Sequence, residues 1–274
     1  MYEAYWKLKT RPFENTYSEA SYYPAESAQA ALLKLRYAVE NRRGAAILAG
    51  ACGLGKSLLA RTLLMQLPES FSPKAHLVFP KLPSDSLIPY LLLNLGRGQR
   101  SGESQRSPSE SIWQLQQFLS ENTRSGHHAV VVVDDAHLLS DHSSLETLRL
   151  LTNFETDGKL DLTLVLVGQT AIIPAIERFP SLESRIGVKS LMRCFTPDET
   201  AAYVTHRLRV AGCEGEIFVP EGLQRLFEIT RGNPREINRL CDLALLIGYA
   251  EEIRQIDAAQ VESIHDELVT VVPE

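Results

Sequence analysis

The chain has 274 residues, of which 44% are hydrophobic, with a formal net charge of −6 and a pI near 5.7. This length and composition are typical of a folded protein with one large domain or two unequal ones. The acidic balance argues against a broadly basic nucleic-acid-binding surface, and four widely spaced cysteines argue against zinc and for a reducing compartment. Because the N-terminal sequence lacks the pattern of a signal peptide and no apolar run reaches about 18 residues, we expect a cytoplasmic protein with no membrane segment.

Short apolar runs alternate with helical patterns along the first two thirds of the chain. The five runs predicted to be strands are AAILAG (45–50), AHLVF (75–79), AVVVVD (129–134), LTLVLVG (162–168) and GVKSLM (187–192). Apolar runs of this kind, separated by helices, are typical of a parallel sheet covered by helices on both faces. We therefore predict an α/β fold. The polar tract 96–111, rich in Gly, Ser and Arg, is interpreted as a solvated surface loop.

After about residue 195 the strand pattern stops and a helical module begins. Thr196 is predicted as the N-cap, with Pro197 in the first turn and Glu199 at N3. Further helices are predicted in VPEGLQRLFEIT, in PREINRLCDLALLIGYAEE after Pro234, and in DAAQVESIHDEL capped by Asp257. We therefore expect an α/β domain at 1–195 and a small all-helical domain at 196–274.

The stretch GACGLGKS matches G-x-x-x-x-G-K-[ST] at every fixed position, between a predicted strand and a predicted helix. Glycines let successive backbone N–H groups face a phosphate, and the helix N-terminus favours an anion. Lys56 would bridge the β- and γ-phosphates of a nucleotide, and Ser57 would ligate Mg²⁺. Cys52 is interpreted as an inert small side chain of the loop. The predicted nucleotide-binding residues are Gly50, Ala51, Cys52, Gly53, Leu54, Gly55, Lys56, Ser57 and Leu58.

Four consecutive valines precede Asp134 and Asp135, which is typical of a strand buried on both faces that ends in an acidic pair. Ligands bind at the carboxyl ends of parallel strands. Asp134 is therefore predicted to hold Mg²⁺, directly or through water, and Asp135 to orient or deprotonate the attacking water. The flanking histidines lack ligand spacing and are interpreted as packing or surface groups: His127, His128 and His137.

Several ordered motifs resemble one known family. GACGLGKS, VVVVDDAHLL, SLETLRLLTNFETDGKLDLTLVLVGQ, GNPREINRLCDLALL and the N-terminal KLKTRPFENTY are similar to the AAA+ ATPase module of the general secretion pathway protein A (ExeA-type) family. The resemblance covers nearly the whole chain. It implies a P-loop AAA+ core followed by a helical lid, with ATP and Mg²⁺ as cofactors and neighbouring subunits completing each site.

The resemblance also implies catalytic residues beyond the loop and the acidic pair. Gln169 resembles sensor 1, in contact with the γ-phosphate and the lytic water, and Arg235 resembles sensor 2. Arg185 resembles the arginine finger offered to an adjacent subunit, with Arg178 and Arg193 as rivals. The alternatives are a turn-capping role for Gln169 and surface salt bridges for the arginines.

The adenine contacts are the least defined part of the expected site. By resemblance the segment around Pro12, Phe13, Tyr22 and Tyr23 lies near the base. These aromatic residues could instead belong to the hydrophobic core.

The sequence departs from the family at Asp135, where members usually carry Glu. Because a base must approach its water to within about 2.6 to 3.2 Å, the missing methylene predicts slow hydrolysis. ATPase activity should fall in Asp135→Asn and rise or hold in Asp135→Glu.

Three functions remain open at this stage. The favoured one is an ATP-hydrolysing AAA+ motor or switch that acts on a protein assembly, such as secretion or envelope machinery. The alternatives are a DNA-associated regulator similar to transposition ATPases of the MuB/TniB type, which the acidic pI disfavours, and a slow-turnover ATP-gated adaptor. Longer relatives continue into a membrane span and a peptidoglycan-binding domain, so the chain is either a stand-alone ATPase or a fragment.

Overall fold

A computed structural model describes residues 1–14, 22–97, 107–139 and 142–270. Its contacts divide the chain into two compact units. The α/β unit contains Glu26–Cys52 and Lys56–Met192, and the helical unit contains Met1–Ala25, Gly53–Gly55 and Arg193–Glu274. Each unit has a hydrophobic core cluster of its own.

The α/β unit is organised around a five-stranded parallel sheet. The strands are β1 (Ala45–Ala49), β2 (Lys74–Leu77), β3 (Ala129–Val133), β4 (Glu155–Thr156), β5 (Lys159–Leu160), β6 (Leu162–Gly168) and β7 (Ile186–Leu191). The sheet has the order β2-β3-β6-β1-β7, and β4 pairs with β5 in a separate antiparallel hairpin. All five predicted strands are confirmed and all run parallel. Their carboxyl ends therefore lie along one edge of the sheet.

Helices cover both faces of this sheet. They are α1 (Glu26–Glu40), α2 (Lys56–Gln66), α3 (Ser84–Asn94), α4 (Pro108–Arg124), α5 (His142–Leu151), α6 (Ile172–Glu177) and α7 (Pro180–Glu183). Every residue of β1, β3 and β6 is buried, which requires cover on both faces because successive strand side chains point to opposite sides. The apolar runs of these strands follow from that burial.

Among the residues that the structure describes, the helical unit has four long helices: α8 (Pro197–Val210), α9 (Pro220–Thr230), α10 (Pro234–Ala250) and α11 (Ala258–Thr270). The predicted capping box of α8 is confirmed, since Thr196 accepts from the Glu199 amide and Glu199 accepts from the Thr196 amide. Asp257 likewise accepts from the Gln260 amide, at 3.0 Å, at the start of α11. These caps satisfy N–H groups that have no partner within the helix.

The N-terminal segment belongs to the helical unit, which differs from the predicted division at 1–195 and 196–274. Tyr2, Trp6, Leu8 and Phe13 are buried in the helical core cluster, and the Trp6 indole donates to the Leu245 carbonyl at 2.8 Å. Burial of these large side chains explains the grouping, since each contributes about 2 kcal/mol of hydrophobic stabilisation. A local pattern cannot say which of two cores such a segment joins.

The predicted surface loop at 96–111 needs a correction at its C-terminal end. Ser107 caps α4 with its side chain, and Glu110 completes a capping box, so 108–111 are the first turn of that helix. The sequence SPSE is a helix start of the S-x-x-E type that the Ser and Pro content concealed. Residues 98–106 of the predicted loop lie outside the described residues.

Candidate functional site

The candidate phosphate loop follows β1 directly, and Lys56 begins α2. Gly53 and Gly55 have φ angles of +85° and +83°, a backbone region that glycine adopts without the steric cost of a Cβ. The Lys56 ammonium donates to the Ala51 carbonyl at 2.7 Å. The loop thus curls around its own lysine at a helix N-terminus, the type of backbone that binds phosphate.

Asp134 follows the last residue of β3 and is 6% exposed. Its carboxylate accepts a hydrogen bond from the Asp135 amide at 2.9 Å, and the Ser57 hydroxyl interacts with it closely enough to lower its pKa. The His76 Nε2 atom lies 3.2 Å from its Oδ2. Burial raises the pKa of Asp134, but the His76 ring, the Ser57 hydroxyl and the Asp135 amide outweigh burial and hold this pKa below its ordinary value. Asp134 is therefore an anion at neutral pH.

These residues fit a magnesium ion that also binds phosphate. Mg²⁺ in nucleotide sites takes one or two protein oxygen ligands and completes its shell with water and phosphate oxygens. Asp134 and Ser57 supply one carboxylate and one hydroxyl oxygen, near enough for the hydroxyl to lower the pKa of the carboxylate. Within the described ranges, no group of three or more His, Cys, Asp and Glu side chains could hold a metal by itself. Such a site would depend on the nucleotide.

Asp135 begins the turn that follows β3. Its backbone is left-handed, with φ 48° and ψ 33°, and the short 3-10 helix Ala136–Leu138 follows it. The side chain is 58% exposed, and its Oδ1 lies 3.9 Å from Nδ1 of His137. The left-handed backbone turns the chain after Asp134. As a result the Asp134 carboxylate is directed into the protein and the Asp135 carboxylate toward solvent.

Gln169 follows the last residue of β6. In the sheet order β6 lies between β1 and β3, and the register pairs Ala49 with Gly168. Gln169 is therefore level with Gly50 of the phosphate loop, on the strand between this loop and the acidic pair. Its side chain is exposed, while its carbonyl accepts from the Ile172 amide at 3.0 Å. The Gln169 carbonyl therefore closes a turn, whereas contact of its side chain with a γ-phosphate stays a prediction.

Arg185 lies at the opposite edge of the sheet. Its carbonyl accepts from the Ala45 amide at the amino end of β1, and its guanidinium donates to Asn153 Oδ1 at 2.9 Å. The five residues of β1 span about 16 Å. Because an arginine side chain is much shorter than this, Arg185 cannot reach the phosphate loop of its own chain. Of its two rivals, Arg193 pairs with Glu199 and Arg178 donates to the Pro174 carbonyl.

Arg235 lies in the helical unit, in the first turn of α10, with an exposed side chain. Its backbone N–H donates to the side chain of the N-cap residue Asn233 at 3.0 Å. The cap fixes the start of the helix that carries this guanidinium.

The aromatic residues expected near adenine pack within the helical unit. Phe13 is 2% exposed, and the Tyr23 ring makes edge contacts with Phe195 and Tyr203. The Tyr22 hydroxyl is buried and has no hydrogen-bond partner among the described residues. Phe13 therefore has a core role, whereas contact of Tyr22 or Tyr23 with a base stays a prediction.

His76, which no sequence pattern marks as a site residue, contacts Asp134 from the edge strand β2. The register pairs His76 with Val132, so its side chain lies beside the end of β3. The short run around His76 indicates a strand but carries no signal for which strand it neighbours. Only the pairing of β2 with β3 identifies this contact.

The AAA domain family matches residues 39–176, which include the phosphate loop, the acidic pair and Gln169. This chain belongs to that family. Over 97% of its length it is 32% identical to general secretion pathway protein A of Aeromonas hydrophila, which confirms the resemblance seen in the motifs. The AAA chain spans 50% of the length of that relative.

Solved structures confirm the fold of this AAA protein. The ORC2 protein of Aeropyrum pernix, in its ADPNP-ADP complexes, matches with a TM-score of 0.70 and 18% identity over 94% of this chain and 72% of that one. The RuvB Holliday junction branch migration motor of Thermotoga maritima matches with a TM-score of 0.63 and 18% identity over 93% and 73%. The predicted fold class, a P-loop AAA+ core with a helical module, is correct. Among the described helices, none has the length and apolar character needed to cross a bilayer.

Proposed function

We propose that this AAA+ protein binds ATP with Mg²⁺ and hydrolyses it slowly. The observation that carries the proposal is the interaction of the Ser57 hydroxyl with the Asp134 carboxylate, which helps to hold the pKa of Asp134 below its ordinary value. Ser57 lies in the first turn of α2 and Asp134 directly after β3, and they correspond to the hydroxyl and the carboxylate that hold Mg²⁺ in P-loop NTPases. Their interaction requires the sheet to bring the phosphate loop and the end of β3 together.

In this mechanism the loop Gly50–Leu58 cradles the phosphates and the Lys56 ammonium exchanges the Ala51 carbonyl for phosphate oxygens. The metal, when bound, neutralises phosphate charge. Asp135 orients the attacking water and accepts its proton. Gln169, level with the phosphate loop on β6, contacts the γ-phosphate and that water. Adenine contacts by Tyr22 and Tyr23 are part of the same proposal.

Two arginines are proposed to report the nucleotide state. Arg235 senses the γ-phosphate on behalf of the helical module, so that the module changes conformation through the ATP cycle. Arg185 completes the site of a neighbouring subunit, since the length of β1 separates it from its own phosphate loop. The chain is therefore proposed to self-associate when active.

Steady-state phosphate release tests the reaction. The wild type should release phosphate slowly in the presence of Mg²⁺ and not in EDTA. Asp135→Asn should lower the rate at least tenfold, and Asp135→Glu should raise or hold it, because a longer carboxylate restores the reach of the base. A rapid wild-type rate that Asp135→Asn leaves unchanged would contradict the assignment of the base.

Mixing two inactive variants tests the role of Arg185. Arg185→Ala keeps its own Asp135, and Asp135→Asn keeps the arginine, so mixed oligomers contain some complete sites. We expect activity to return on mixing, and wild-type specific activity to rise with protein concentration. Arg178→Ala is the matched control and should be active alone. If the mixture stays inactive while both variants co-assemble, Arg185 is not an arginine finger.

The substrate is proposed to be a protein assembly, and the similarity to general secretion pathway protein A suggests secretion or envelope machinery. Asp135→Asn should accumulate the ATP-bound state and retain the partner more strongly than Lys56→Ala does. Mass spectrometry of proteins that co-purify with each variant makes the comparison. Selective recovery of duplex DNA instead would favour the DNA-associated alternative.

A further inference from the structure

His137 makes an unusual approach to the candidate base. Its Nδ1 atom lies 3.9 Å from Oδ1 of Asp135, and the side chain is 13% exposed. The Nδ1 atom itself is buried and, among the residues that the structure describes, has no hydrogen-bond partner. Leaving a buried polar nitrogen without a partner costs about 1 to 3 kcal/mol. A hydrogen bond to the nearby Asp135 Oδ1 would remove this cost.

The backbone of His137 is held in place by the neighbouring strand. A Cβ added to Gly168, the last residue of β6, would lie 3.1 Å from the His137 amide nitrogen and 3.4 Å from its Cβ. The 3-10 turn is closed by a hydrogen bond from the Leu138 amide to the Asp135 carbonyl at 2.8 Å. The backbone that carries the buried imidazole is thus held against β6, whereas the Asp135 carboxylate is exposed.

A hydrogen bond from His137 would compensate for the side chain of Asp135, which is one methylene shorter than that of Glu. Loss of a methylene moves the carboxylate back by about 1.5 Å, and useful catalytic geometry requires placement within about 0.5 Å. A rotation of the Asp135 side chain that moves Oδ1 by about 1 Å would bring this atom within hydrogen-bond distance of His137 Nδ1. The second carboxylate oxygen would then be fixed in direction.

We propose that His137 is a positioning residue that donates a hydrogen bond through Nδ1–H to Asp135 and so aligns the carboxylate with the attacking water. The inference rests on the proposed function. The histidine does not touch the substrate, and no proton leaves it during the reaction. A base aligned by a second group resembles a metal ligand held by an outer-shell partner, and mutation of such partners costs about 10- to 100-fold in metal affinity or activity.

The experiment is a double-mutant cycle between His137→Phe and Asp135→Asn, read by kcat and by the Kd for ATP with Mg²⁺. His137→Phe should lower kcat at least tenfold in the wild-type background and leave Kd within about twofold. In the Asp135→Asn background it should cost nothing further, since there is no carboxylate to align. His127→Phe, at the other end of β3, is the matched control and should keep the wild-type kcat. Equal losses in both backgrounds would overturn the proposal.

A second pair of variants keeps the test valid if His137→Phe does not fold. The amide of His137→Asn reaches the position of Nδ1, whereas that of His137→Gln reaches the position of Nε2. We expect His137→Asn to retain most of kcat and His137→Gln to lose at least fivefold; the reverse order would overturn the proposal. Absence of ATP binding by the wild type would instead refute the proposed function.

Discussion

A buried histidine at the start of β3 gives the fold a defined pH dependence. His128 is 1% exposed and contacts the Phe71 ring edge. Its Nδ1 lies 3.1 Å from the Leu160 carbonyl and its Nε2 2.9 Å from the Thr163 hydroxyl. Burial is the main cause that lowers the pKa of His128 to about 4, and the positive charge of Arg42 is the second cause. The hydrogen bond to the Leu160 carbonyl opposes this shift. The ring is therefore neutral in the folded protein.

The sign of the effect follows from proton linkage. In the unfolded chain His128 takes up a proton near pH 6.5, whereas in the folded chain it does so near pH 4. Protonation of His128 therefore favours the unfolded state. The contribution of neutral His128 to the stability of the folded state is complete above about pH 6.5 and is lost as the pH falls toward 4. A difference of this size corresponds to about 3 kcal/mol.

Amide hydrogen exchange of β3, followed by mass spectrometry between pH 7.5 and pH 4.5, measures this free energy in the α/β unit alone. The matched variant is His128→Gln, whose amide keeps a polar partner for Thr163 and does not titrate. We expect the opening free energy of the wild type to fall with decreasing pH by about 2 to 3 kcal/mol more than that of His128→Gln. Parallel pH profiles for the two proteins would refute the reasoning.

Three further outcomes are expected. Asp134→Asn should abolish Mg²⁺-stimulated phosphate release, at least a hundredfold, while nucleotide binding in EDTA persists. Gly168→Ala places a Cβ 3.1 Å from the His137 amide nitrogen, so it should lower the unfolding free energy by about 1 to 2 kcal/mol and slow turnover several-fold, as thermal melts and kinetics will show. Arg207→Met removes a buried guanidinium that donates to the Pro12 carbonyl at 2.6 Å. It should lower the opening free energy of residues 1–14 by about 2 kcal/mol, which amide hydrogen exchange will show as faster exchange. Unchanged values in any of the three would contradict the contact concerned.

Local patterns predicted most of the elements, because burial and capping leave their mark on neighbouring residues. The valines of β3 are all buried, as their unbroken run predicted, and Thr196 caps α8 as the T-x-x-E spacing predicted. The G-x-x-x-x-G-K-[ST] spacing and the acidic end of the valine run predicted the phosphate loop and the acidic pair, and the family resemblance added Gln169, Arg185 and Arg235.

Contacts between segments far apart in the chain could not be predicted from the sequence. Nothing near His76 indicates that β2 lies beside β3, and nothing in residues 1–14 indicates which core buries Trp6. Strand order and core membership depend on contacts between distant segments, so a single sequence contains no local signal for them. The 3.9 Å approach of His137 to Asp135 likewise needed the left-handed backbone at Asp135.

Nucleotide binding by the loop underlies every functional assignment made for this chain. Isothermal titration calorimetry with ATPγS and Mg²⁺ measures it on the wild type, on Lys56→Ala and on Lys81→Ala, which removes an exposed lysine from the same unit. We expect saturable heat from the wild type and Lys81→Ala, and at least a tenfold higher Kd for Lys56→Ala. No binding by the folded wild type, or equal binding by Lys56→Ala, would contradict the account.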